Sequence, residues 1–148
     1  MRFSPSLIFA VLVWVISAGA QPTPQQKTWL SYEPAVVELE GKLTIVTYSG
    51  SLNFGKDPKT DRKEEVAILE LSQPINVRGN PKSDRDEETV EGVKKVQLVI
   101  DPHIPYRRLI GQNVAVKGCL FHAQMKHHFA DVLLVVKQIR KSKGDKGQ

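Results

Sequence analysis

From Val37 to Ile45, apolar and polar residues alternate. Val37, Leu39, Gly41, Leu43 and Ile45 fall on one side, and Glu38, Glu40, Lys42 and Thr44 on the other. A period of two with one apolar side predicts a half-buried β-strand. Gly41 stands on the apolar side, where a missing side chain permits a sharp bend or a bulge. A long first strand bent at a glycine lets a small barrel share that strand between both halves of its sheet. The same pattern predicts strands over Val66–Ile75, Val93–Ile100, Val114–Ala123 and Asp131–Ile139. The second is expected to end at Pro74. The last is apolar enough at Val132–Val136 to be covered on both faces.

The connections differ in character. Ser49–Glu65, with Gly50, Gly55 and Pro58 among charges, reads as a long loop. Asn76–Gly92 is more polar still and is expected to be a mobile excursion. Pro102 and Pro105 open a segment in which Tyr106, Leu109 and Ile110 have helical spacing and Gly111 closes the run, so one or two helical turns are expected. Three strands, a short helix and two more strands form the element order of the OB-fold, a five-stranded Greek-key barrel. The expected class is all-β: a small OB-fold-like five-stranded Greek-key barrel with one short helix between strands 3 and 4. A small β-sandwich shares the strand count.

The two ends of the chain change the picture. Leu7–Ser17 is an apolar run of signal-peptide length, and Ala18 and Ala20 supply a small-x-small cleavage pattern. The run is too short for a bilayer core, which needs about 20 residues, so no transmembrane anchor is expected. The domain plan is residues 1–20 as signal peptide, 21–30 as a flexible Pro/Gln-rich lead-in, 31–140 as the barrel and 141–148 as a basic disordered tail. Export to the periplasm or outside the cell follows. The net charge is +5, with Lys137, Arg140, Lys141, Lys143 and Lys146 near the end against Asp145. Export, and the lack of interleaved basic and aromatic residues, speak against nucleic acid. Cys119 is the only cysteine, so no disulfide forms within the chain. Burial in its strand and a monomeric protein are the expectations.

Candidate chemistry concentrates in "GCLFHAQMKHHFADVLLVV", Gly118–Val136, which holds three of the four histidines. In an OB-fold the loop between strands 4 and 5 borders the ligand-binding face. His122, His127, His128 and Asp131 are therefore the candidate ligand-binding residues. The same four could supply nitrogen and oxygen ligands to zinc or copper, although adjacent His127 and His128 point to opposite sides of an extended backbone. No other cofactor is implied. A small hydrolase would need one of these rings beside a nucleophile such as Ser49, Ser51 or Ser72, none of which sits in a recognisable nucleophile turn. A structural alternative has His127 and His128 latching the strand 4–5 hairpin, with Asp131 accepting from one of them. Trp29, Tyr32, Tyr48 and Phe54 are aromatic candidates for the rim or for core caps.

"SYEPAVVELEGKL" (Ser31–Leu43), "ILELSQPINV" (Ile68–Val77), "VQLVI" (Val96–Ile100) and the histidine stretch together resemble a bacterial family of small exported domains of unknown function. Its members pair an N-terminal YEPxxVxLxG motif with a C-terminal GxLFxAxTxHHHTxVLL motif. The resemblance implies an exported barrel and brings no activity. This chain departs from the pattern at Met125, at Phe129 in place of the third histidine, and at Ala130. Those departures favour a non-catalytic binding module over an enzyme, with a saccharide or an envelope protein as ligand. A metal-binding periplasmic protein and a small hydrolase are the alternatives.

Overall fold

The computed structural model describes residues 28–49, 63–124 and 128–143. Six strands occur among them: β1 (Thr28–Ser31), β2 (Val36–Ser49), β3 (Lys63–Arg78), β4 (Val90–Val99), β5 (Asn113–His122) and β6 (Val132–Lys141). β2 runs antiparallel to β5 from Val36↔Cys119 to Lys42↔Asn113. It then runs antiparallel to β3 from Gly41↔Leu71 to Ser49↔Lys63. The changeover falls at Gly41, which pairs on both sides. A Cβ there would lie 2.2 Å from the Glu70 carbonyl oxygen, so only glycine lets the strands approach this closely.

β3 continues to β4, β4 pairs in parallel with β6, and β6 pairs antiparallel with β5. The ladder thus passes from β2 through β3, β4, β6 and β5 back to β2, a closed ring of five strands. These are the five strands the alternation predicts, and the all-β class holds. Ring closure explains the burial. Leu43, Leu69, Val96, Val116, Leu120 and Leu134 are essentially fully buried, and Tyr32, from the turn before β2, joins the same cluster.

Several expectations are corrected. The end of the expected lead-in, Thr28–Leu30, belongs to a strand, because β1 adds in parallel to β3 (Thr28↔Ile75 to Ser31↔Arg78). β3 does not stop at Pro74. The proline, which has no N–H to donate, falls where the β3–β4 register shifts between Glu70 and Ile75, and the strand resumes to Arg78. The helix between strands 3 and 4 is only a 3₁₀ turn, Arg107–Leu109. Prolines before it and Gly111 (φ 82°) after it leave no room for more. The Gly111 N–H then donates to the Leu43 carbonyl at 2.7 Å, tying the segment to β2. Val132, Leu133 and Leu134 are fully buried as expected, but Val135 is exposed. Cys119 is half-buried on the outer face, not enclosed.

Asn76–Gly92 is no loose excursion. β3 and β4 reach into it from both sides, and the residues between them fold on themselves. The Gly79 N–H donates to Thr89 Oγ1 (2.9 Å), the Asn80 N–H to the Asp86 carbonyl (2.6 Å), and the Asp86 N–H to Ser83 Oγ (3.2 Å). The product is a turn that buries the Asp86 side chain, 2% exposed.

Candidate functional site

His122 ends β5 opposite Val132, and alternation places it on the same side as the buried Leu120. Its ring meets that of Tyr32 in a T-shape with centroids 6.2 Å apart, and its Nε2 lies 3.5 Å from Glu88 Oε2. Its backbone N–H donates to Asp86 Oδ1 at 2.8 Å. A carboxylate buried in the β3–β4 turn is thereby fixed against the end of β5.

Tyr32 stands at the centre of this group. Its hydroxyl is buried and has no hydrogen-bond partner among the described residues. Burial, followed by the carboxylates of Asp86, Glu88 and Asp131, pushes the phenol up to about 12. Each of these effects penalises a negative phenolate, so the hydroxyl stays protonated.

Phe121, one residue earlier, faces the opposite way. His128 goes with it: their rings form a T-shape at 6.1 Å, and His128 Nδ1 accepts the Gln124 N–H at 2.9 Å. The Ala123 N–H donates to the Asp131 carbonyl (2.9 Å), and Gln124 Nε2 reaches the Arg85 carbonyl (2.9 Å). His128 thus latches the β5–β6 loop by accepting from backbone, and the Asp131 carbonyl helps close it through the main chain.

Of the four candidate residues, the structure sets the His122 ring against Tyr32 and His128 on the other face, and leaves Asp131 exposed just before β6; His127 lies outside the described residues. Among the described residues no three His, Cys, Asp or Glu side chains are grouped to hold a metal ion. Of the serines considered as nucleophiles, Ser72 is exposed on β3; Ser51 and the Ser49 side chain lie outside the described residues, as does Phe54. Sequence reasoning missed Asp86 and Glu88, because no period marks a buried acid in a polar turn.

The outer face carries a second feature. Val36 pairs with Cys119, Cys119 with Val135, and Val135 with Val99. Register partners in neighbouring strands point the same way, so these four form one outward row across β2, β5, β6 and β4. Val36, Val135 and Val99 are 46%, 41% and 42% exposed. Two residues along, the β5–β6 loop borders the row. The Phe129 N–H donates to Gln97 Oε1 at 2.8 Å, and the Phe129 ring stacks on Tyr48 at 3.7 Å, 15° from parallel.

Residues 95–140 match the profile of a domain of unknown function, DUF4431. The matched segment runs from within β4 through β6 and holds His122, His128, Phe129 and Asp131, together with Val99, Cys119 and Val135 of the outer row. A family of unknown function is what the resemblance in the sequence leads one to expect. No curated protein matches the chain. Among the described residues no helix is long and apolar enough to cross a membrane.

Proposed function

We propose that the protein is an exported, non-catalytic binding module that holds another envelope protein against the apolar row Val36–Cys119–Val135–Val99. The observation that carries this reading is the alignment itself. In a closed ring the outward positions meet water, and single exposed apolar residues there mean little, but a contiguous set marks a contact surface. Four strands at about 4.8 Å spacing make the row about 14 Å long, enough for one face of a partner strand or helix. Polar residues flank it, including the Glu38–Arg140 ion pair and Lys117, which gives the apolar centre and polar rim of a protein contact. Export is supported by the apolar run Leu7–Ser17 and the small residues after it.

The test is photo-crosslinking in the native envelope, with a reactive group introduced at Cys119. The parent protein should give one dominant crosslinked product. Val99→Lys combined with Val135→Lys should reduce it more than tenfold while moving the melting temperature by no more than about 3 °C, since both side chains lie on the surface. An undiminished product in the double variant refutes the proposal. A second reading rests on the Tyr48–Phe129 stack, whose flat apolar surface beside Gln97 suits the face of a sugar ring. It predicts retention on an envelope polysaccharide that Phe129→Ala abolishes.

A further inference from the structure

A groove of about 490 Å³ runs between the two stretches of chain Ser31–Ala35 and Arg78–Pro81. Arg78 ends β3 opposite Ser31 of β1, so these two side chains share one face of the sheet. The Arg78 guanidinium lies over the Trp29 ring, 5.4 Å from its centroid, and makes no ion pair among the described residues. An indole beneath a guanidinium holds its fork of N–H donors in place without using them up. Glu33 is the acid on the groove wall, and Arg85 answers it at 3.8 Å, so the charge left over in the groove is that of Arg78. Asn80 adds a fixed neutral donor. Its N–H donates to the Asp86 carbonyl and its Oδ1 accepts the Lys82 N–H at 3.1 Å, which leaves its Nδ2 hydrogens without a partner among the described residues.

We propose that this groove binds a peptide carboxylate, with the Arg78 guanidinium donating to both oxygens and the Ser31 hydroxyl and Asn80 Nδ2 supplying neutral donors. A carboxylate fits better than a phosphate. One guanidinium matches the single charge and planar pair of oxygens of a carboxylate, whereas a phosphate dianion would face the Glu33 carboxylate with no second free cation on the walls. Pro34, Ala35 and Pro81 give the groove apolar wall for the rest of the ligand. Ala35 directly precedes Val36, the first member of the outer row, so a protein seated on that row has a segment within reach of the groove. The choice of a peptide rests on the row's being a protein contact; the carboxylate chemistry does not. The carboxylate is either a chain terminus or an acidic side chain.

The experiment is calorimetric titration of the full chain, with the Trp29 indole resonance followed by NMR. The titrants are an acetylated tripeptide of alanine with a free C-terminus, its amidated form, an amidated tripeptide with a central glutamate, galacturonate and inorganic phosphate, all at matched ionic strength. Saturable binding is expected with one or both carboxylate peptides and not with the amidated alanine peptide, and the tighter of the two identifies the source. Arg78→Gln should weaken it at least about tenfold. Arg78→Lys keeps the charge but not the fork and should weaken it severalfold; it also decides the matter should Arg78→Gln fail to fold. Arg107→Gln, an exposed arginine paired with Glu65, should leave binding unchanged, as should the Val99→Lys, Val135→Lys double variant, which separates this site from the row. Equal weakening in Arg107→Gln and Arg78→Gln, tighter binding of phosphate or galacturonate than of either peptide, or no saturable binding at about 10 mM peptide would each overturn the assignment.

Discussion

Replacing Gly41 by alanine tests the architecture at its tightest point. The added methyl group would lie 2.2 Å from the Glu70 carbonyl oxygen, 2.8 Å from its carbon and 3.0 Å from Leu71 Cα, all of them backbone atoms. No side-chain rotation relieves such a contact. β3 has to withdraw from β2 by about 1 Å to restore ordinary contact, which stretches the hydrogen bonds at Gly41↔Leu71 and its neighbours. Two ladder bonds lost or weakened cost about 1 kcal/mol each, and the strain of overpacking adds about 1 kcal/mol more, so a loss of roughly 3 kcal/mol is expected. For a domain of this size that lowers the melting temperature by roughly 10 °C. Circular-dichroism melts of parent and variant measure it, with Gly92→Ala alongside. Gly92 has a φ of 68°, and a methyl group added there would meet nothing within 4 Å, so it reports left-handed backbone strain alone and should cost about 1 kcal/mol. A Gly41→Ala protein that melts within about 3 °C of the parent would refute the close approach, and with it the sharing of β2 between β3 and β5.

Three further outcomes follow from the Tyr32 group and the adjoining loop. The phenol is raised in the folded state, so between pH 10 and about 12 the unfolded chain gives up a proton that the fold retains. Stability should be unaffected by this group below pH 10 and fall as pH rises through that window; urea denaturation at several pH values should show a shallower fall for Tyr32→Phe than for the parent. Asp86→Ala removes the acceptor of the His122 N–H and should cost about 2 kcal/mol, with faster hydrogen exchange at that amide, while Asp84→Ala, on an exposed side chain, should leave both unchanged. His128→Ala frees the Gln124 N–H and should cost about 1 kcal/mol, seen as increased protease cleavage between Ala123 and Asp131 without a change in the core.

What could be read from the chain depends on whether a structure is built by neighbours in sequence. The ring strands were legible because each writes its own local pattern, an alternation or, at Val132–Val136, a short apolar run, and the bend at Gly41 because a glycine interrupts the apolar side. β1 is four residues whose pairing with Ile75–Arg78 lies far along the chain, so no local period announces it. Tyr106 and Leu109 do pack against the core as their spacing suggests, but prolines and a glycine cut the predicted helix to a single turn. The candidate site divides in the same way. His122 and Asp131 could be named because they cluster in sequence. Asp86 could not, because it reaches His122 across 36 residues through one backbone hydrogen bond. The outer row is the extreme case. Its four members come from four strands, and only the register between those strands reveals them as one surface.

The short strand β1 has a consequence for how the protein behaves in a crowded compartment. The ladder of the five-strand ring returns to its starting strand, so among the described residues none of those five strands ends the sheet. Among the described residues β1 alone ends the sheet, and it offers four residues, with Arg78 lying over the Trp29 ring at 5.4 Å. So small a template gives little purchase for runaway strand-to-strand assembly, which protects a β-rich chain from fibril growth.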